Sequence, residues 1–273
     1  MNRNFLLKLA LWLASIILPV ALQSQENRTS KGFDESAQKL GIADADLIDR
    51  LMPTIEGAGG TAREMLQQQS VKPYMMPVRK VGAKGSDLSY ALATCLEYYV
   101  NLDENYKLNL SPDFISLNIE NTGRPMTLSE AVQFLAQEGT VNAAIVPYGA
   151  TELTGAVYST QKYKISNYLY LFREVTPARQ RVYEARKALM RGNPVLIELK
   201  SDESIKTFTN TRNLNPPDGG QLYPLIVVGY DETQQAFEVM SCWGRNWGTD
   251  GYAWMSYDAF GRYAMNGYVM ISE

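Results

Sequence analysis

The sequence contains no histidine among its 273 residues and only two cysteines, Cys95 and Cys242. Without histidine the chain can form neither a Cys-His nor a Ser-His catalytic pair, and no imidazole can bind a metal ion. The formal net charge is only −3, which argues against nucleic acid or an anionic membrane as the main partner. We therefore predict no cofactor and no metal site.

Long apolar runs are scarce, and the clearest one lies at the N-terminus. A short basic start precedes an apolar run from Leu9 to Leu22, and small or polar residues follow it. This order is typical of a secretory signal peptide over residues 1–24, so we expect cleavage between about Ala21 and Gln25 and an exported protein that is periplasmic, attached to the cell surface or secreted. An uncleaved anchor is the alternative, which Pro19 disfavours. No later segment reaches the ~18 apolar residues of a spanning helix, so we expect no membrane insertion after cleavage.

The chain has enough apolar residues, 45% of the total, to build one sizeable core. We expect a globular domain over residues 70–273 and an N-terminal extension over residues 25–69. In the extension, Thr61 and Glu64 form a capping box that predicts a short helix through about Gln69. We interpret the extension as a docked arm or linker.

The segment from Lys84 to Val100 predicts a central helix. It opens with Gly85-Ser86, and Asp87 falls in the first turn. From Leu88 onward only three residues are clearly polar, namely Ser89, Thr94 and Glu97. Nearly every side of this helix can therefore face protein.

The remaining pattern predicts an α+β fold, with a helical half followed by a sheet half. A second capping box at Thr127 and Glu130 starts a helix, and Thr176-Pro177 starts another. Five strand-like runs then follow, at residues 195–199, 225–230, 236–241, 251–256 and 267–272. A Thr-, Asn-, Pro- and Gly-rich loop, Ser201 to Gly220, separates the first two.

Three motifs resemble the signature of papain-like cysteine proteases, and they occur in the family's order. Residues 85–91, GSDLSYA, resemble Gly-Ser-Cys-Trp-Ala-Phe-Ser/Ala. Residues 223–230, YPLIVVGY, are similar to His-Ala-Val-x-x-Val-Gly-Tyr, and residues 241–252, SCWGRNWGTDGY, resemble Asn-Ser-Trp-Gly-x-x-Trp-Gly-x-x-Gly-Tyr. The resemblance implies a papain-like fold, with a groove between the helical half and an antiparallel sheet.

The same alignment of motifs changes every catalytic position of the family. Asp87 takes the place of the cysteine, Tyr223 of the histidine, Ser241 of the asparagine and Val81 of the oxyanion-hole glutamine. None of these residues can replace its counterpart in kind. The resemblance therefore implies a pseudoprotease, a member of the family that has lost hydrolysis.

Each of these residues also has a structural interpretation. Asp87 at a helix N-terminus is stabilised by free N–H groups and the helix dipole, by ~0.3–1 kcal/mol. Tyr223 and Ser241 can simply fill space, and the two tryptophans can be core aromatics, although the resemblance also implies that their motif helps to wall the groove. The candidate groove residues are Asp87, Leu88, Tyr223, Trp243 and Trp247.

The resemblance raises two further points, one about the extension and one about the cysteines. The extension could be the remnant of an inhibitory propeptide, but it is short for that role. Cys95 lies about 12 Å along the central helix at 1.5 Å per residue, whereas Cys242 adjoins the asparagine position near the helix start. A disulfide needs Cα atoms within about 7 Å, so we expect two buried free thiols.

Three functions remain open at this point. The first is a pseudoprotease that binds a peptide or protein partner, with Asp87 favouring a cationic or hydrogen-bond-donating group. The second is a structural component of an envelope assembly, which a groove plugged by Tyr223, Leu88 or the 201–220 loop would favour. The third is an enzyme with chemistry rebuilt around Asp87, Tyr223 and either Glu198 or Asp218, which requires a second ionisable group within reach of Asp87.

Overall fold

The computed structural model describes residues 40–55, 61–119, 126–209 and 213–273. These residues belong to one compact unit, Leu40–Glu273. The predicted signal peptide, residues 1–24, and the following residues up to 39 lie outside the described residues.

Within the described residues the chain forms seven α-helices and seven β-strands. The helices are α1 (Ala45–Leu51), α2 (Ala62–Gln67), α3 (Asp87–Asp103), α4 (Pro112–Ile119), α5 (Leu128–Gln137), α6 (Ala178–Met190) and α7 (Tyr257–Tyr263). The strands are β1 (Gln68–Ser70), β2 (Ile165–Phe172), β3 (Val195–Ser201), β4 (Gln221–Asp231), β5 (Ala236–Met240), β6 (Tyr252–Ser256) and β7 (Ala264–Ser272). The predicted α+β class is therefore confirmed.

The strands form one antiparallel sheet in the order β2-β7-β3-β4-β5-β6, and β1 pairs with the far end of β4. All five predicted strands are present, and β4 begins earlier than predicted, at Gln221. Tyr223 consequently lies within a strand, opposite Leu199 of β3. The sheet thus fixes the backbone at one of the predicted site positions.

The predicted central helix is α3, and it packs against both halves of the molecule. Ser86 caps the helix, because its Oγ accepts a hydrogen bond from the backbone N–H of Ser89 at 3.0 Å. Every residue from Ser89 to Val100 is buried. Only the first turn, with Asp87 and Leu88, is left to face a cleft.

Local signals placed helix starts better than helix ends. Both predicted capping boxes form, at Thr61–Glu64 and Thr127–Glu130. The helix predicted to run to Gln69 instead ends at Gln67, because residues 68–70 pair with β4 as strand β1. The cap of α6 also differs, since Pro177 occupies that position without a side-chain hydrogen bond.

The described part of the extension lies along the sheet edge and α6. Ile42 donates its N–H to the carbonyl of Tyr168 at 2.9 Å and accepts from the N–H of Tyr170 at 2.8 Å, which covers the edge of β2. Ile48 and Met52 are buried in the main core. The boundary expected at residue 70 falls inside β1, so the described extension packs as part of the domain.

Among the described residues, no helix is long and apolar enough to cross a membrane.

Candidate functional site

The first turn of α3 carries an ion pair. Asp87 is the first helical residue, and its Oδ2 lies 2.9 Å from Nζ of Lys206. The two side chains are 20% and 34% exposed. The carboxylate also meets the positive end of the helix dipole, as the structural interpretation of Asp87 expects. The negative charge of Asp87, which was predicted to favour a cationic ligand, is therefore already paired with Lys206 of the same chain.

A short 3₁₀ turn, Glu203–Thr207, presents Lys206 to Asp87. The indole of Trp247 is buried and donates from Nε1 to the carbonyl of Ile205 at 2.7 Å. The ring of Phe208 packs on Trp247 with centroids 5.4 Å apart. The Trp-Gly motif thus anchors the loop that carries Lys206.

Two opposing effects set the pKa of Lys206. Burial lowers its pKa, but the hydrogen bond and the negative charge of Asp87 outweigh that effect, so the pKa lies above its ordinary value. The ammonium group also lies 5.5 Å from the ring centroid of Tyr223. At neutral pH Lys206 is a protonated hydrogen-bond donor.

Tyr223 packs beside the ion pair and is buried. Its hydroxyl donates to Oε1 of Gln221 at 2.5 Å, and its ring meets Trp243 edge to face with centroids 6.3 Å apart. Burial raises the pKa of the phenol. Tyr223 is therefore a neutral wall residue here.

Val81 and Ser241 both lie close to the start of α3. Val81 donates its backbone N–H to the carbonyl of Cys242 at 3.0 Å, which places it beside the first turn of α3. Ser241 is buried, and its hydroxyl accepts from the N–H of Trp243 at 3.4 Å. Within the part of the chain that the structure describes, no hydrogen bond joins Ser241 to Tyr223.

The two cysteines are free and buried, as predicted. Cys242 donates from Sγ to the backbone carbonyl of Asp87 at 3.5 Å. Burial, followed by the charge of Asp87, raises the pKa of this thiol well above its ordinary value. Burial alone raises the pKa of Cys95. Neither cysteine offers a thiolate at neutral pH.

A cavity of about 560 Å³ opens at the ion pair. Its walls combine polar and apolar groups and come from both halves of the domain. They comprise Gly85, Ser86, Asp87, Leu88, Met126, Thr127, Leu128, Glu198, Lys206, Leu222, Tyr223 and Pro224. The groove is therefore open, although the 201–220 loop contributes Lys206 to its wall.

Two of the predicted groove residues, Trp243 and Trp247, do not line this cavity. Trp247 is 2% exposed and supports the 203–207 turn from behind. Trp243 stands behind Tyr223, and its buried Nε1 has no hydrogen-bond partner among the described residues. The prediction that both tryptophans wall the groove is wrong for this cavity, because Trp247 is buried against the 203–207 turn and Trp243 packs edge to face with Tyr223.

Glu198 is the second carboxylate of the cavity. It faces Pro224 across β3–β4, and its Oε2 accepts from Asn266 Nδ2 at 2.8 Å and from Tyr268 Oη at 2.7 Å. No lysine or arginine in the described ranges lies within ion-pair distance of it. Asp218, the other predicted candidate, instead accepts from the hydroxyl of Tyr263 at 2.9 Å.

Lys206 is the site residue that sequence reasoning missed. It follows Asp87 by more than a hundred positions and lies in a loop with no periodic pattern. The Trp-Gly motif was the only available signal, because Trp247 holds that loop. The described residues contain no cluster of three metal-binding side chains.

The family comparison agrees with the geometry. A sequence model of the papain family cysteine proteases matches residues 66–272. Peptidase 1 of Dermatophagoides farinae is 24% identical over 183 residues, which cover 65% of this chain and 56% of that protein. Peptidase 1 of Euroglyphus maynei is 22% identical over 185 residues, or 66% of this chain and 57% of that protein. The chain thus matches little more than half the length of these relatives.

Several solved structures of proteases have a backbone similar to that of this chain. Xylellain, a cysteine protease from Xylella fastidiosa, aligns with a TM-score of 0.55 at 21% identity, over 72% of this chain and 82% of its own. The bromelain protease from Ananas comosus aligns with a TM-score of 0.60 at 19% identity, over 76% and 99%. At these identities the likeness shows the fold alone, and the predicted papain-like fold is confirmed.

Proposed function

Because this chain belongs to the papain family of cysteine proteases, we propose that it is a member that binds a peptide or protein segment without hydrolysing it. The observation that carries the proposal is the Asp87–Lys206 ion pair, with its 2.9 Å contact. It stands where the family motif has the nucleophilic cysteine. An ion pair there occupies the first helical turn with charges that already satisfy each other.

The chemistry of peptide hydrolysis supports this proposal. A papain-like enzyme needs a thiolate and an imidazole that protonates the leaving amine, and the chain has no histidine. Hydrolysis also requires at least ~8 kcal/mol of barrier lowering. With Val81 at the oxyanion-hole position, no side-chain amide donor stands there to stabilise a tetrahedral oxyanion.

Cys242 is the thiol nearest to the site, and it does not restore the chemistry. It is 6% exposed, its pKa is raised, and its Sγ points to the carbonyl of Asp87. A nucleophilic cysteine requires the thiolate and access to substrate. Both requirements are unmet at this position.

The rebuilt-enzyme hypothesis required an ionisable partner for Asp87, and Lys206 is that partner. A lysine acts as a base or nucleophile only when its amine is neutral, which usually follows from a lowered pKa. The pKa of Lys206 is raised instead. The pair therefore favours a binding role.

The cavity suggests what kind of ligand fits. Its volume of about 560 Å³ lies within the ordinary range of ligand pockets. Leu88, Leu222 and Pro224 supply apolar contacts. Because Lys206 matches Asp87, Glu198 is the carboxylate left to receive a donor from the ligand. We therefore expect a segment with an apolar side chain beside an amide, hydroxyl or cationic donor.

Peptide selection on the purified protein tests the binding proposal. Peptides selected from a random library should bind the wild type, and Leu222→Asp should abolish binding because it places a charge in the apolar wall. Leu222 is 47% exposed, so this change should leave the fold intact. Val175→Asp is the matched control, since Val175 is 90% exposed and does not line the cavity.

Two results would count against the binding proposal. If no peptide is selected, or if selected peptides bind the Leu222→Asp variant as well as the wild type, the cleft is not the binding surface. The second hypothesis, a structural component of an envelope assembly, would then take its place.

Export is part of the same proposal and rests on the pattern of residues 1–24. Intact-mass analysis of protein from its native host should show cleavage between about Ala21 and Gln25. Retention of residues 1–20 would contradict export by this route.

A further inference from the structure

A second cavity, of about 460 Å³, lies at the far end of strand β4. Tyr223 marks the cleft end of β4 and Asp231 its last residue, so the two ends are separated by roughly 26 Å at about 3.3 Å per residue. The lining residues are Glu64, Gln68, Gln69, Ser70, Pro73, Tyr74, Gly229, Tyr230, Asp231, Glu238 and Trp254. The cavity is therefore separate from the cleft at Asp87.

The floor of this cavity is one row of residues that crosses four strands. Ser70 of β1 pairs with Gly229 of β4, Gly229 with Glu238 of β5, and Glu238 with Trp254 of β6. Residues paired in register point to the same face of a sheet. Glu238 thus stands beside the Trp254 indole, and Gly229 on its other side lies in close contact with Gln69 and Ser70 of β1.

Glu238 is a buried carboxylate that is only partly satisfied. It is 8% exposed, and its Oε1 lies 2.5 Å from Nζ of Lys72. Its other oxygen, Oε2, receives no hydrogen bond from any residue in the described ranges. This oxygen is not among the fully buried polar atoms that lack a partner, so it can receive a hydrogen bond from a ligand in the cavity.

The contacts of Lys72 show that a cation fits beside Glu238. Its ammonium group contacts Glu238 and also lies 4.0 Å from the ring centroid of Tyr252. A carboxylate and an aromatic face together form a favourable environment for an organic cation. Lys72 itself does not line the cavity.

The cavity repeats that chemistry without a cation of its own. Glu64 and Asp231 add two carboxylates, and no lysine or arginine is among the lining residues. Hydrogen bonds from Thr61 lower the pKa of Glu64, and those from Thr233 and Gln234 lower the pKa of Asp231. Both groups are therefore ionised at neutral pH.

Aromatic side chains provide the apolar part of the wall. Tyr74 is 42% exposed and the Trp254 ring is half-buried. Such rings attract a cation through their faces and pack against the methylene groups that carry it.

We propose that this second cavity binds an ammonium or guanidinium group on an apolar stem, held by Glu238 and Trp254. The group would enter the cavity with its charge toward Oε2 of Glu238 and its methylene groups against the aromatic rings. The basic side chain of a peptide and a free polyamine share this chemistry.

Calorimetric titration at low salt tests the proposal. The probes are a capped pentapeptide with one central arginine, the same peptide with citrulline, and free agmatine. Citrulline keeps the shape of arginine and removes its charge, so only the two cationic probes should bind. Trp254→Leu and Glu238→Gln should each weaken the binding about tenfold, in variants whose thermal melting confirms folding.

A cleft variant separates this site from the proposed function. Glu198→Gln removes the cleft carboxylate that has no ion-pair partner among the described residues, and the share of the arginine-peptide binding that Trp254→Leu weakens should persist in it. If binding falls in Glu198→Gln and persists in Trp254→Leu and Glu238→Gln, the cation belongs in the cleft and the second site does not exist. Equal binding of arginine and citrulline, or no binding, also overturns the proposal and leaves the cleft proposal to its own test.

The two cationic probes distinguish the source of the ligand. Tighter binding of the arginine peptide than of agmatine assigns the cavity to a protein or peptide side chain. The reverse order assigns it to a free polyamine. Either order supports the cation site when the Trp254→Leu variant weakens it.

Discussion

Helix α3 carries two ion pairs that have similar N–O distances but differ greatly in burial. At its middle, Glu97 meets Arg79 at 2.7 Å with side chains 1% and 11% exposed. At its first turn, Asp87 meets Lys206 at 2.9 Å with side chains 20% and 34% exposed. Glu97 also accepts the N–H of Leu110 at 2.6 Å, whereas Asp87 faces an open cavity.

The two ion pairs of α3 have different roles, one in stability and one in binding. A buried pair costs desolvation, and its charges tolerate no missing partner. A pair in a cleft gains little net stability, but it remains within reach of a ligand. We therefore assign Arg79–Glu97 to the stability of the fold and Asp87–Lys206 to the binding surface.

The largest expected effect is on the buried pair. Arg79→Ala leaves the Glu97 charge without its partner and should lower the free energy of unfolding by ~3–5 kcal/mol at about pH 8. Urea unfolding followed by circular dichroism measures this loss. The double variant Arg79→Met with Glu97→Leu should recover part of it, and a single-variant loss below 1 kcal/mol would remove the distinction between the pairs.

The pH dependence of stability gives the next largest effect. Burial raises the pKa of Glu97 to about 7, although Arg79 and the N–H of Leu110 oppose it. The folded state therefore holds this proton more tightly than the unfolded state does. The resulting stability is complete below about pH 4.5 and is lost as the pH rises through about 7.

A variant that cannot titrate isolates the contribution of Glu97. The stability of the wild type relative to Glu97→Gln should fall between about pH 5 and pH 8, by on the order of 3 kcal/mol. Urea midpoints across that range measure the difference. A relative gain with rising pH would show that Arg79, not burial, controls the pKa of Glu97.

The parts of the fold that the sequence predicts correctly depend on patterns of residues that are close together in the chain. Capping boxes, the apolar run of α3 and the Trp-Gly string each depend on neighbouring residues, and all three predicted local structure. Strand β1 escaped prediction, because Gln68, Gln69 and Ser70 have no strand pattern of their own and become a strand only by pairing with β4. Tertiary pairing decided that segment.

The candidate site was predictable in its positions but not in its contacts. The motifs placed Asp87, Tyr223, Ser241 and Val81 near one another, since those positions converge in the family. Lys206 could not be found in this way, because its approach to Asp87 depends on the loop held by Trp247. The exclusion of Trp243 from the cavity likewise depends on the side-chain packing of Tyr223.

Thiol reactivity extends the comparison to the two cysteines, since Cys95 lies at the middle of α3 and Cys242 contacts its first turn. Both should react with a disulfide reagent only slowly in the folded protein and completely after denaturation, because burial raises the pKa of each thiol. Cys242 adjoins the cleft and should be labelled before Cys95. Peptide mapping under non-reducing conditions would contradict this account if it recovered a Cys95–Cys242 cross-link.

The smallest effect on stability is expected at the cleft pair. Lys206→Ala and Asp87→Asn should each change the free energy of unfolding by no more than ~1 kcal/mol, since both side chains keep access to water. Thermal melting of the two variants beside the wild type checks this. A loss above 2 kcal/mol in either variant would mean that the pair holds the cleft walls together as part of the fold.

The central claim, that the cleft binds peptides without cleaving them, is tested most directly by mass spectrometry of a peptide library incubated with the pure protein. We predict that no new peptide termini appear, while peptides captured by the wild type and lost in Leu222→Asp are recovered intact. New termini that appear with the wild type, disappear in Asp87→Ala prepared in parallel and persist through repeated purification would contradict the claim.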